Sequence, residues 1–304
     1  MSDVPILAQH GYFDTVPLPA RPVRALPGGA RLGLAFVVSC EAYEMQPAPA
    51  GAALPLSLPG GFGRGPYPDF RTYSNREYGN RIGVFRVMEV LDRHGLKATA
   101  AVDATVAHDR RTLVEEAVKR GWEIAAHGTA VTQLISSALA EDEERARIRA
   151  ATEAITAACG VKPRGWHGPE YGESHRTPAL LAEAGYRYVL DWPNDEQPYA
   201  MTTPRGPLVA VPMAIDLDDV FAHWHRKLTM ARWQRAVSEA VDTLLEDGKK
   251  NPRTLVLNLH PWLIGQPWRI GYLDSLLQDL RSRGGIAFMT AGDIAAWHLQ
   301  QPTP

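Results

Sequence analysis

Thr254-Leu255-Val256-Leu257-Asn258-Leu259-His260-Pro261 is an apolar run of strand length that stops on a histidine. Gly121-Trp122-Glu123-Ile124-Ala125-Ala126-His127-Gly128 follows a similar plan and also stops on a histidine. Short apolar runs of this kind fit strands covered on both faces, as in a parallel sheet flanked by helices. Further strands are expected over Leu32 to Val38, Lys97 to Val102, Arg164 to Trp166, Tyr186 to Leu190, Leu208 to Pro212 and Ile286 to Met289.

Helical patterns alternate with these runs. Ile82, Phe85, Met88 and Leu91 recur at threes along one predicted helix face, and Gly95 stops that helix. Helices are also expected over Arg111 to Arg120, Ala138 to Cys159, Thr177 to Ala184, Arg232 to Glu246, Tyr272 to Arg283 and Ala291 to His298. About seven strand–helix units joined by short connections point to an α/β barrel rather than an open sheet. The 304 residues suit one such domain spanning 1–304, with no internal repeat or linker to split it. The Pro-rich residues 1–30 read as an irregular arm, and residues 46–72, dense in Pro and Gly, as a long loop. Loops beyond about 15 residues are uncommon in compact domains and often cover a binding site. Leu54 to Phe70, with Phe62 and Tyr67, is therefore expected over the pocket mouth.

Composition narrows the function classes. Hydrophobic residues make up 45% and charged residues 22%, which fits a globular protein with a large core. A formal net charge of -2 gives no electrostatic reason to expect nucleic acid or an anionic membrane as partner. Two cysteines are too few for a disulfide framework, which suits a reducing compartment. With no basic-then-apolar leader and no apolar run near the ~20 residues of a membrane span, a cytoplasmic enzyme acting on a small molecule is expected.

In parallel α/β barrels the chemistry sits where strands end. Polar groups follow five predicted strands: Ser39-Cys40-Glu41, His127, His167 with Glu170, Asp191 to Glu196, and His260. Any one of them could merely cap a loop. Five converging on one rim are harder to explain that way, because burying charge is costly. The strands ending near Glu41, His127 and His260 are accordingly expected as parallel neighbours around one pocket. Cys40 could be a nucleophile, but a lone strand-end cysteine is more often small apolar filler. His223 and His225 read as a surface or substrate-facing feature, and Asp216, Asp218 and Asp219 as solvated loop charges.

Three segments together resemble the polysaccharide deacetylases, a family whose fold is a distorted (β/α) barrel. Gly121 to Gly128 is similar to the motif whose strand ends in a metal-binding His. Leu255 to Pro261 is similar to the motif whose His lies near the leaving group. Gly165-Trp166-His167-Gly168-Pro169 stands at the family's Arg-x-Pro position. Within the family, three runs resemble the cofactor-independent allantoinases: Arg76 to Gly83, Asn194-Asp195-Glu196-Gln197-Pro198-Tyr199, and His260 to Arg269. Cyclic-imide hydrolases belong to the same neighbourhood.

The resemblance implies hydrolysis of a non-peptide C–N bond in a small cyclic amide, ureide or imide. Glu41 would be the base, suited to that role if burial raises its pKa, and His260 the acid. His127 would join them as a catalytic residue. His167, Glu170, Trp192, Asp195 and Trp262 are expected to bind substrate. A homo-oligomer is expected from the resemblance alone.

The departures concern metal. The family's zinc-dependent members use an Asp and two His, the second His four residues after the first. Zn²⁺ needs three protein ligands plus an open water position. Here Val131 stands four residues after His127, and Ser39 and Glu41 stand where the family keeps its Asp pair. No metal cofactor is therefore expected. The alternative is zinc held by Glu41 and His127 with a third ligand such as Glu170 or His167, in an altered deacetylase. A non-catalytic binding barrel is the remaining reading.

Overall fold

Nine strands form one curled sheet in this computed structural model, which describes residues 10–46 and 68–301. In chain order they are β1 (Leu32–Cys40), β2 (Thr99–Val102), β3 (Glu123–Ala126), β4 (Gly165–Trp166), β5 (Tyr188–Val189), β6 (Tyr199–Met201), β7 (Leu208–Ala210), β8 (Arg253–Leu259) and β9 (Ile286–Met289). Their spatial order is β6-β7-β5-β4-β3-β2-β1-β8. β1 is the hub. It pairs with β8 along one edge, while its other edge pairs β9 at Leu32 to Ala35 and β2 at Val37 to Cys40.

All pairings are parallel except that of β6 with β7. The antiparallel β6 was not expected, because three residues after a Pro-containing loop carry no period to read. β1 and β8 are direct neighbours as expected, but β2 lies between β1 and β3. The gap between the β6–β7 pair and β8 is spanned by single bonds rather than a ladder. Ala214 N–H donates to Val256 O at 2.9 Å, and Thr254 N–H donates to Glu196 O at 2.7 Å. Pro212, just after β7, has no N–H to extend a ladder there.

The alternation of side chains along the strands decides which residues enter the barrel. Leu34, Phe36, Val38 and Cys40 of β1 pack in the outer core with Leu255, Leu257 and Leu259 of β8. The smaller Ala35 and Val37, with Ala101 and Val256, fill the interior beside Ala291, Ile294 and Ala295. Those last three belong to a helix, Ala291–Leu299, that plugs one end of the barrel. Continued past the core, the same parity puts Ser39, Glu41, Asn258 and His260 on the inner side and Cys40 outside.

Two expectations need correcting. The segment assigned to a long loop contains the start of helix α1 (Phe70–Tyr78), whose N-terminus Asp69 caps by accepting from Thr72 N–H at 3.0 Å. The part of that loop placed over the pocket mouth, with Phe62 and Tyr67, lies outside the described residues, and Phe70 is solvent-exposed. A π turn, Gly79–Gly83, then leads into helix α2 (Val84–Arg93). The added residue of that turn rotates the helix face: Val84, Val87, Met88 and Leu91 are buried, whereas Ile82 is exposed. No helix among the described residues is long and apolar enough to cross a membrane.

Candidate active site

Glu41 stands at the centre of a buried cluster. His127 Nε2 lies 3.3 Å and His260 Nε2 3.5 Å from Glu41 Oε1, and Arg76 Nη1 donates to Oε2 at 3.3 Å. Burial alone would raise the Glu41 pKa. The charge of His260, hydrogen bonds from His127 and His260, and the Arg76 guanidinium instead hold it well below its ordinary value. This corrects the expectation of a base tuned upwards. Burial is outweighed because three positively polarised partners converge on one carboxylate.

His260 has the opposite character. Burial alone would lower its pKa, but the carboxylates of Asp218, Glu41 and Asp219 raise it well above the usual imidazole range. Asp219 accepts from His260 Nδ1–H at 2.7 Å and from the His260 backbone N–H at 3.1 and 3.0 Å. The ring is therefore fixed with Nε2–H facing Glu41. Asp218 accepts from Val220 N–H, Phe221 N–H, the Tyr171 hydroxyl and Asn258 Nδ2–H. Asp218 and Asp219 are thus buried and fully engaged, not the solvated loop charges that their sequence suggested. Only a long crossing segment brings them beside β8, and no local pattern announces it.

His127 and His167 stack with ring centroids 4.4 Å apart. His127 Nδ1–H donates to His167 O at 2.7 Å, and His167 Nδ1–H to Asp191 Oδ1 at 2.8 Å. Burial acts to lower both pKa values. Bonding to Glu41 raises that of His127 overall, whereas burial and the neighbouring His127 charge lower that of His167. Two stacked imidazoles do not readily share two charges, and the opposite shifts favour a charge on His127 over one on His167.

Arg76 and Asn80 come from α1 and the π turn. Asn80 Nδ2–H donates to Glu41 O at 2.8 Å, and the Arg76 guanidinium lies 4.1 Å from the Trp262 ring centroid. Asp103, after β2, accepts from Ala42 N–H at 2.5 Å and Val106 N–H at 2.7 Å, tying down the peptide that follows Glu41. Burial pushes its carboxyl up to about 8 against those two bonds. None of the three was given a site role from the sequence, although Arg76 and Asn80 lie in the run Arg76 to Gly83 that carries part of the resemblance. Asp103 follows a strand as Glu41 does, which is a signal that could have found it. Burial and the carboxylates of Asp103 and Glu41 push the Cys40 thiol up, and its outward parity leaves it as filler.

Of the residues expected to bind substrate, His167, Glu170 and Trp262 join this cluster. Trp192 and Asp195 do not. Trp192 packs on Tyr12 and Phe13 and donates to Glu173 at 2.9 Å. Asp195 pairs with Arg21 at 2.6 Å in a separate cleft of about 660 Å³. The arm residues that engage them lie far away in sequence, so strand-end proximity alone misplaced both.

Residues 77–189 match the family model described as polysaccharide deacetylase. The chain carries a polysaccharide deacetylase domain. A Schizosaccharomyces pombe protein named "Putative polysaccharide deacetylase" is 24% identical over 252 residues, covering 74% of this chain and 76% of that one. Among solved structures, a probable polysaccharide deacetylase from Pseudomonas aeruginosa PAO1 superposes with a TM-score of 0.80 at 27% identity, covering 93% of this chain and 96% of that one. PuuE allantoinase superposes with a TM-score of 0.78 at 25% identity and the same coverage.

A polysaccharide deacetylase domain raises the question of zinc. The deacetylase position offers Glu41 and His127, but Val131 is buried against Tyr43 where a second His would stand. Among the described residues, the His, Cys, Asp and Glu groups that bring three ligand atoms within 4.8 Å of one another are Asp218, Asp219 and His260. Glu41 and His127 form no such set with Glu170, His167 or any other described residue. In the set that exists, His260 Nδ1 is occupied by its bond to Asp219. The donors do not fit a three-ligand zinc centre.

Proposed function

We propose that this chain hydrolyses a non-peptide C–N bond in a small cyclic amide, ureide or imide by acid–base catalysis with side chains alone. The observation that carries the reading is the Glu41–His260 pair. Its groups lie 3.5 Å apart with pKa values pushed in opposite directions. Near neutral pH the base is ionised and the acid is protonated, which is the starting state that hydrolysis needs.

Glu41 takes a proton from water as the water oxygen bonds to the carbonyl carbon. His260 gives its Nε2 proton to the ring nitrogen as the C–N bond breaks. The products are a carboxyl group and a protonated nitrogen leaving group. The proton on Glu41 then returns to His260, restoring both. Asp219 holds His260 in the tautomer that presents Nε2–H, and Arg76 and His127 steady the Glu41 carboxylate. The likeness to PuuE allantoinase supports a ring-opening substrate.

The test is turnover of hydantoins, ureides and imides with and without chelator. Ring opening that ignores chelator supports the reading. Activity lost on chelation and restored by zinc would promote an altered zinc deacetylase acting through Glu41 and His127. Absence of turnover on every amide and imide would leave a ligand-binding barrel.

A further inference from the structure

Glu170 and Tyr171 are consecutive non-glycine residues in the left-handed region, with φ of 53° and 59°. Side chains rarely adopt that conformation, and it persists where surrounding structure imposes it, commonly at binding sites. The imposing contacts are present here. The Tyr171 hydroxyl donates to Asp218 at 3.0 Å, and its ring edge meets His167 with centroids 4.9 Å apart. Gly168 packs so tightly that a Cβ there would lie 2.4 Å from Gly172 O.

The strained pair carries the Glu170 carboxyl to where it feels the charges of Glu41, Arg76, His260 and Asp218. Glu170 is half-buried, and its carboxyl has no hydrogen bond or ion pair with any described residue. A carboxyl group held on a strained turn that packs against Asp218 and His167, and without a partner among the described residues, is placed to meet a ligand.

We propose that Glu170 is the specificity-determining residue of this site, its carboxyl group pairing with the cis N–H and C=O edge of a ring amide, imide or ureide. This rests on the C–N hydrolase reading above. Burial, followed by the nearby Glu41 charge, raises the Glu170 pKa above its ordinary value. In the proposed complex the group carries the proton, and a carboxylic acid presents an O–H donor and a C=O acceptor side by side. A small ring forces its amide cis, so N–H and C=O share one edge and both bonds form at once. An acyclic secondary amide such as an N-acetyl group is trans and offers only one at a time.

The experiment uses the best cyclic substrate from the panel and its analogue methylated at the ring nitrogen that is not cleaved. Glu170→Ala should raise KM for the parent by about 10-fold or more, with kcat changed far less. Glu170→Gln should restore KM, because its amide edge also carries a donor and an acceptor. The N-methyl analogue should bind the wild type poorly and lose little more in Glu170→Ala. Glu170→Gly, whose backbone suits φ of 53°, should keep the unfolding midpoint while showing the same KM defect. Equal KM for the wild type and Glu170→Ala, or equal loss on parent and N-methyl analogue, would overturn the role of Glu170 while leaving the hydrolase reading intact. If the wild type neither opens a cyclic amide nor binds one by calorimetry, the hydrolase reading falls and this inference falls with it.

Discussion

Glu41 and His260 support each other at the scale of single residues. Each holds the other in the charged form, so neither can be removed without disturbing its partner. Glu41→Gln and His260→Ala should each lower kcat by about 10²–10⁴-fold while circular dichroism stays that of the wild type. Full turnover in either variant would show the chemistry to be misassigned. The directions of the shifts also set the pH profile. Glu41 ionises well below its ordinary 4.5 and His260 loses its proton well above 6.5, so kcat/KM should be flat between those values and fall only beyond them. Asp219→Asn removes one of the charges raising His260, and should bring the alkaline limb to lower pH. An unmoved limb would argue against His260 as the acid. Stability follows the same signs. The Glu41 contribution is present above 4.5 and lost as pH falls through its depressed folded value. That of His260 is present below 6.5 and lost as pH rises through its raised folded value.

The decisive element is the π turn Gly79–Gly83. It lets α1 reach Glu41 with Arg76 and Asn80 while α2 keeps its apolar face on the barrel. Its glycines allow the turn to touch the short helix Pro261–Ile264 that follows His260. A Cβ on Gly83 would lie 2.0 Å from Pro261 O, and one on Gly79 would lie 2.7 Å from Trp262 N. The turn therefore links the base at the end of β1 to the acid at the end of β8. Gly83→Ala should push the two segments apart, destabilising the fold by about 1–3 kcal/mol and lowering turnover together. Urea denaturation would measure the first effect. A variant as stable and as active as the wild type would show that the close approach is dispensable.

Across the whole molecule, β1 joins most of the barrel by pairing with β2, β8 and β9. Phe36, 1% exposed and facing the helices, lies in its middle. Phe36→Ala should cost about 3–5 kcal/mol, read as a lower urea midpoint with an unchanged slope. A change in slope, or a second transition, would mean that the β1 core is not shared by the whole sheet. The barrel also explains how a site of charged groups can be buried. Apart from Glu170, each carboxylate at its centre meets an imidazole, a guanidinium or backbone N–H groups supplied by another strand end or turn, so little charge is left without a partner.

The amino-acid sequence by itself determined the parallel barrel and three of its key side chains. Apolar strands alternating with helices are buried as a parallel sheet covered by helices, and the rim where such strands end is where Glu41, His127 and His260 stand. Strand parity, also written in the sequence, sorts Glu41 inward and Cys40 outward. The partners of these residues were decided only by the tertiary structure. Asp218 and Asp219 reach His260 from a segment roughly forty residues earlier in the chain, and Arg76 reaches Glu41 across a π turn. The direction of the Glu41 pKa depended on how closely His260, His127 and Arg76 approach it, because burial and opposite charge act in opposite senses and only the packed geometry says which prevails. Trp192 and Asp195 show the same limit from the other side. They follow a strand as the active residues do, yet the folded arm supplies them with other partners, and no local pattern records a contact made across that distance.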